Sequence, residues 1–243
     1  MPNRANESAT PSSGLISIIV PVFNEAVSVE QFLNCLRERV GGAEIIVVDG
    51  CSTDQTFDLA RNHCDRCLRA PHGRAAQMNA GARAALGDSF WFLHADCEVP
   101  VDCLHQISEA LRNPEVVGGF FRIRIPDKRV VYRLTDSFAH YVGILLRMRF
   151  GDHGFFCRRT AFEKIGGFPE VPLMEDAKFF GRLRRLGGIA IIPSRLVSSA
   201  RRYEQIGPWR LTLTYGLIAL LYLWRVPVVI LARIYRMTCI PPE

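Results

Sequence analysis

Acids recur in this chain where apolar runs stop. The run "IVPVFNE" ends on Asn24 and Glu25, "EIIVVDG" carries Asp49, and "FWFLHAD" ends on His94 and Asp96. A further pair, Glu175 and Asp176, follows "GGFPEVPLM". Helix capping accounts for any one of these alone; it accounts poorly for all of them together. Acids gathered on one rim suit a divalent cation, because Mg2+ or Mn2+ takes oxygen ligands and bridges carboxylate to diphosphate. Asp96 is the first candidate ligand. His94 is the second, since imidazole suits Mn2+ better than Mg2+, although it reads equally as a strand residue bonded into the core. Glu175 and Asp176 read either as partners of a helix dipole or as the place of a general base that takes a proton from an attacking hydroxyl. No GxxxxGK[ST] occurs and no GxGxxG follows the first apolar run. That excludes a P-loop enzyme and weighs against a dinucleotide-binding oxidoreductase.

The elements that must position these groups follow from periodicity. "LISIIVPVF", "EIIVVDG" and "SFWFLHAD" are continuous apolar runs of the kind that form strands buried on both faces. Between them lie a helical pattern at Val29, Phe32, Leu33, Leu36 and Val40, a capped helix start at "STDQTFDLARNHC", a short strand near Cys67–Ala70 and the Ala-rich "GRAAQMNAGARAALG". This alternation predicts right-handed βαβ units in an α/β fold, with an open, mostly parallel sheet and helices on both faces. Ligands of such sheets sit outside the carboxyl ends of the strands, where the acids fall. Beyond Pro100, "GGFFRIRI" predicts a half-exposed antiparallel strand. Residues 130–149 then read as an amphipathic helix, "GDHGFFCRR" as a strand, "MEDAKFFGRLRRLG" as a helix and "GIAIIP" as a strand.

Length bounds the fold to one large domain, here 15–205, with a polar tail over 1–14 expected to be disordered and a helical segment over 206–243. The net charge of +6 is concentrated near the C-terminus: Arg195, Arg201, Arg202, Arg210, Arg225, Arg233 and Arg236 face a single acid, Glu204. Such a basic face calls for phosphates or acidic lipid headgroups rather than nucleic acid, because the arginines lie beside apolar helix and not among stacking aromatics. The run Leu211–Trp224 is short for a span of about 20 residues. It predicts two helices packed on the domain or lying in a membrane interface. The eight cysteines are scattered, and Cys64–Cys67 has no second pair to complete a zinc set; they read as reduced, intracellular thiols. With no signal peptide visible, the expected location is cytoplasmic, with possible peripheral attachment to the inner face of the cell membrane.

With these residues in place, the sequence resembles the family-2 glycosyltransferases of the GT-A fold. "IVPVFNE" and "VVDGCSTDQT" look like their two nucleotide-binding loops, "LHAD" stands at their Asp-x-Asp metal motif, and "PLMED" at their catalytic Glu-Asp. "GRAAQMNAGA", "GDHGFF" and "SARRYE" further resemble a short bacterial subgroup associated with arsenosugar biosynthesis, itself similar to diaponeurosporenoate glycosyltransferase. The resemblance implies a Rossmann-like sheet, a nucleotide-sugar donor (a UDP-sugar favoured), Mg2+ or Mn2+, and a small-molecule or lipid acceptor. It implies that Pro21, Asn24 and Glu25 shape the nucleotide pocket, that Asp49 accepts hydrogen bonds from the base, and that Arg74, Gln77 and Asn79 face the sugar-diphosphate. Asp96, with His94, would hold the metal. Asp176, beside Glu175, would be the base of a single inverting displacement. Arg202 and Tyr203 stand at the family's Gln-x-x-Arg-Trp element and would clamp diphosphate or acceptor. His94 replaces the first metal Asp, Gly50-Cys51 replaces Asp-Gly, and Ser199 and Tyr203 replace Gln and Trp. A nucleotidyltransferase and a non-catalytic nucleotide-sugar-binding protein are the alternatives.

Overall fold

The computed structural model describes residues 14–127, 129, 131–132 and 153–239. The N-terminal half is built from β1 (Ile16–Val22), α1 (Val29–Arg39), β2 (Glu44–Asp49), α2 (Thr56–Ala60), β3 (Arg66–Arg69), α3 (Arg74–Ala84) and β4 (Ser89–Phe92). There follow β5 (Cys97–Glu98), α4 (Cys103–Arg112), β6 (Val116–Arg124), β7 (Phe156–Arg158), α5 (Arg159–Ile165), α6 (Glu175–Leu183) and β8 (Gly188–Ser198). The chain closes with α7 (Arg201–Ile206), α8 (Pro208–Leu223) and α9 (Val228–Cys239).

These strands form one sheet in the order β3-β2-β1-β4-β7-β6-β8-β5. The first four run parallel, as the βαβ reading requires. β7 is antiparallel to both neighbours, β6 and β8 are parallel, and β5 pairs antiparallel with β8. The sheet is therefore mixed. β6, expected to be antiparallel from its alternation, meets that expectation only against β7; alternation reports which side chains are buried, not strand direction.

Both faces of the sheet are covered, which is why its central strands are apolar throughout. Along β4, Trp91 packs on one face with Ile18, Val20, Leu33 and Ile107, whereas Phe90 and Phe92 pack on the other with Met78, Phe162 and Phe179. Helices α1, α2 and α4 supply the first face, and α3, α5 and α6 the second. Gly81 lets α3 lie directly on β1: a Cβ there would stand 2.4 Å from Ile19 Cγ2. The second face is rich in phenylalanine, with Phe168 and Phe179 stacked at 3.9 Å between centroids.

Several boundaries differ from the sequence reading. β4 stops at Phe92, so Leu93 to Asp96 form a loop rather than the end of a strand. α2 is a single short turn-and-a-half, and α4 had no counterpart in the periodicity reading. The helix expected over 130–149 falls, apart from Val131 and Tyr132, outside the described residues, as does the tail over 1–13. The two C-terminal helices are present. No helix among the described residues is long and apolar enough to cross a membrane.

Candidate active site

At the carboxyl ends of β1 and β2 the two loops are stitched to each other. Asn24 sits at φ 51°, a left-handed conformation that asparagine tolerates better than most side chains. From there its N–H donates to Ser52 Oγ (2.9 Å), and its Oδ1 accepts from the Thr53 N–H (2.9 Å). The Glu25 N–H donates to Thr56 Oγ1 (2.7 Å), and the Thr56 hydroxyl donates to Asp54 Oδ1 (2.5 Å). That hydroxyl is the main reason the Asp54 carboxyl is held below its ordinary value. Pro21 lies buried within β1, paired with Val48.

Beneath this seam lies Asp49, the last residue of β2 and fully buried. Its Oδ2 accepts the Ser52 N–H (3.0 Å) and stands 4.0 Å from Arg69 Nε. Its Oδ1 has no hydrogen-bond partner among the described residues. A buried carboxylate oxygen left in that state is costly, and it marks a place where a donor is missing. Arg69 in turn lies 4.2 Å over the Phe57 ring, forming part of the cover.

The acid of the "LHAD" loop is brought in by pairing rather than by strand β4. β5 aligns with β8 through Cys97↔Ser198, and the Ser199 N–H donates to the Asp96 carbonyl (3.1 Å). This register sets the start of α7 beside the loop. Arg201 Nη2 donates to Glu25 Oε1 (2.7 Å), a link across 176 residues of sequence. The guanidinium is held above its usual pKa, first by that hydrogen bond and further by the charges of Glu25 and Asp96. Glu25, Arg201 and the exposed Asp96 therefore make one charged cluster at the rim. His94 is half-buried nearby in sequence, and its carbonyl accepts from the Cys97 thiol (3.0 Å).

The remaining expected residues divide. Arg74 is exposed at the first turn of α3, just after Gly73 at φ 138°. Gln77 and Asn79 were expected to face a ligand, but their amides are engaged with main chain. Gln77 Nε2 donates to the carbonyls of Val22 and Val48 (both 2.8 Å), tying together the ends of β1 and β2. Asn79 Nδ2 donates to the Phe168 carbonyl (2.9 Å), and its Oδ1 accepts the Phe168 N–H (2.9 Å). The two amides brace the rim and the loop that leads to α6.

Arg202 and Tyr203 are engaged with aromatic side chains. Arg202 donates to the Tyr235 hydroxyl and lies 5.1 Å over that ring, while Tyr203 packs edge-on to Tyr132 at 5.4 Å. They join α7 to α9 and to the Tyr132 segment. The arginine that meets the acids is Arg201, one position earlier, which the motif alignment passed over. Motif spacing does not report which way a helical residue points; a shift of one residue turns the side chain by about 100°. An aromatic pair was also missed: Phe23 and His72 lie 4.2 Å apart between ring centroids and are both exposed on the β1 and β3 side of the rim.

Asp176 is 6% exposed in the first turn of α6, with Glu175 half-buried beside it. The helix is entered through Met174 at φ 67°. Met174 and Ala177 pack against Ile218 and Leu231, so α8 and α9 fix the position of this turn.

No cluster of three metal-ligating side chains exists among the described residues. Asp96, exposed at the rim, offers one carboxylate. That fits an ion such as Mg2+, which is commonly held by one or two carboxylates and completed by substrate phosphates and water.

Comparison with known proteins agrees with this architecture. A family model described as glycosyl transferase family 2 matches residues 17–168, more than half of the 243-residue chain. An uncharacterized glycosyltransferase of Haemophilus influenzae is 29% identical over 177 residues, covering 68% of this chain and 70% of that protein. The glycosyltransferase AglE of Haloferax volcanii is 25% identical, over 66% of this chain and 58% of its own length. Among solved structures, the mannosyltransferase PcManGT of Pyrobaculum calidifontis, in complex with GDP-Man and Mn2+, superposes with a TM-score of 0.63 at 23% identity, over 84% of this chain and 62% of that one. TarS 1-349 of S. aureus, in complex with UDP-GlcNAc, gives 0.60 at 16% identity, over 82% of this chain and 65% of that one. At such identities the likeness is one of fold. The family match over residues 17–168 places the chain in glycosyl transferase family 2, and it is a glycosyltransferase.

Proposed function

We propose that the enzyme moves one sugar from a nucleotide-sugar donor, with a UDP-sugar favoured, to a hydroxyl or carboxyl acceptor, with inversion and without processive extension. The observation that carries this reading is the buried Asp49 oxygen lacking a donor, set below the Glu25–Arg201–Asp96 cluster. A nucleobase N–H supplies the missing donor at Asp49. The base must displace the Arg69 side chain that helps cover it, and the Phe23 ring, with His72 tilted 58° against it, offers an aromatic face on that side of the rim. Pro21, Asn24 and Glu25 give the pocket its shape; Gln77 and Asn79 act one layer below, as braces.

The diphosphate then lies over the cluster. Arg201 exchanges its bond to Glu25 for phosphate oxygens, a charge-assisted contact of the strong kind. Arg74, at the start of α3, reaches the same anion. Asp96, with His94, would hold Mg2+ or Mn2+, which when bound stabilises charge on the departing diphosphate. Asp176 accepts the proton of the acceptor hydroxyl as its oxygen bonds to the anomeric carbon. The bond from that carbon to the diphosphate breaks, and the leaving group keeps the electron pair. A carboxyl acceptor, already ionised, attacks without giving up a proton, and that branch does not need Asp176 as a base. Glu175 adds negative charge beside it. The motif resemblance supports an acceptor that is a small molecule or a lipid.

Turnover with UDP-sugars and Mn2+ over a panel of hydroxyl and carboxyl acceptors tests the reading. Asp176→Asn should lower kcat on a hydroxyl acceptor by about 10²–10⁴ while nucleotide binding is kept. Near-normal kcat would remove Asp176 from the mechanism. Donor binding without turnover in either protein would favour a non-catalytic sugar-nucleotide binder.

A further inference from the structure

The C-terminal hairpin inverts the usual pattern of a surface helix. Helix α8 turns Trp209, Leu213, Leu217, Leu220 and Trp224 outward at roughly one face, with Leu213 68% and Trp224 71% exposed. Arg210 and Arg225 flank this stripe, both exposed. On α9, Val229, Ile230 and Met237 are exposed in turn with Arg233 and Arg236. No acid occurs from Gln205 through Cys239.

A second feature adjoins the first. Between α6 and the α8–α9 turn runs an open groove of about 640 Å³, lined by Lys178, Arg184, Arg185 and Arg225 over an apolar wall that includes Leu223 and Val226. None of these four cations has an ion-pair partner among the described residues. Arg184 Nε is buried and makes no hydrogen bond. Cationic groups over an apolar floor complement a ligand that carries phosphate at one end and hydrocarbon at the other.

We propose that the α8–α9 hairpin lies in the headgroup region of an anionic bilayer, with the apolar stripe among the upper acyl chains and the groove holding a lipid phosphate. Interfacial helices join an apolar face to a basic rim in this way, and exposed tryptophan favours the same depth. A second copy of the chain is a poor occupant, since a symmetric interface would set these arginines against themselves. Membrane docking of this hairpin does not depend on the transfer chemistry. It adds a consequence for it: Ala177 and Lys178, which line the groove, directly follow Asp176, so a bilayer-borne acceptor would arrive near the proposed base.

The test uses the full chain with vesicles of phosphatidylcholine alone and vesicles with phosphatidylglycerol added. Co-sedimentation should occur with the anionic vesicles only and weaken as salt rises. Emission should shift to the blue on binding, reporting Trp209 and Trp224, because the third tryptophan, Trp91, is fully buried. The triple variant Arg184→Gln, Arg185→Gln, Arg225→Gln should bind about 100-fold more weakly at low salt. Leu213→Gln with Leu217→Gln should lose the blue shift, and both changes face solvent, so the fold is retained and a thermal melt confirms it. Absence of binding to anionic vesicles, or equal binding to both kinds, overturns the proposal. So does a lipid-free dimer that already shows the shifted emission.

Discussion

The two ends of strand β2 each carry a buried carboxylate, and they are treated in opposite ways. At the amino end Glu44, 7% exposed, is satisfied: its Oε2 accepts from the Ser17 hydroxyl (2.5 Å) and the Leu86 N–H (2.7 Å), and Oε1 lies 3.5 Å from Arg66. At the carboxyl end Asp49, less exposed still, keeps one oxygen without a donor. The first acid closes a structural seam between β1, β2 and the turn after α3. The second is left incomplete at the edge where open α/β sheets bind ligands. Burial by itself does not separate a structural acid from a functional one; completeness of the hydrogen bonding does.

The comparison breaks if the two acids respond alike to substitution. Glu44→Ala should destabilise by about 3 kcal/mol, because two donors and Arg66 lose their partner. At about 2–4 °C per kcal/mol for a chain of this size, the fall in Tm is plain in a thermal melt, and donor affinity at the folded temperature should be unchanged. Asp49→Ala should do the reverse. Nucleotide binding measured by calorimetry should weaken roughly 10- to 100-fold, the scale of a lost hydrogen bond to a charged group, with a smaller change in Tm. Equal losses of stability in both variants, with binding intact in both, would make Asp49 a second structural acid.

The neighbouring arginines sharpen the same distinction on a smaller scale. Arg201→Ala should lower kcat/KM about 10-fold or more through the lost phosphate contact, with little change in Tm. Arg202→Ala should instead loosen α7 from α9, costing about 1 kcal/mol for the lost Tyr235 hydrogen bond and cation–π contact, with kcat/KM retained. A reversed pattern would return the diphosphate role to Arg202.

The smallest effect concerns pH. The Asp54 carboxyl, held below 3.8 chiefly by the Thr56 hydroxyl, is a depressed acid. Its stabilisation of the Asn24–Thr56 seam is therefore fully present above the ordinary aspartate range and is lost as pH falls through the lowered folded value. Thr56→Val should return the Asp54 titration, followed by NMR of the side-chain carboxyl, toward 3.8. An unchanged titration would mean that the hydroxyl does not hold it.

Much of this was legible in the chain because buried parallel strands write continuous apolar runs. β1, β2 and the residues that end them follow from "LISIIVPVF" and "EIIVVDG", and α3 follows from its alanines. What stayed hidden depends on pairing. β5 has two residues, too few to show any period, yet its register with β8 sets Arg201 beside Asp96. Gln77 and Asn79 stand at polar positions that suit a ligand and equally suit a backbone carbonyl; only the packed geometry separates the two uses. α4 depends on no pairing: Cys103, Leu104, Ile107, Ala110 and Leu111 recur at helical spacing, a stripe that the sequence already carries. Glu25 and Asp96 were readable as acids that follow apolar runs, whereas Arg201, which links them, was not.

In the proposed reaction the rim, with Asp49 beneath and Asp96 above, binds the nucleoside diphosphate of a sugar donor together with a divalent ion. Thermal melting with UDP and UDP-sugars, with and without Mn2+, measures this most directly. Ligand at about 100 times its Kd stabilises by about 2.7 kcal/mol, so wild type should gain about 5–10 °C with nucleotide and Mn2+ together. Asp96→Ala should lose the Mn2+-dependent part of the gain, and Asp176→Asn should keep all of it. A melting temperature unmoved by any nucleotide, or an Asp96→Ala variant with the full Mn2+-dependent gain, would contradict the account.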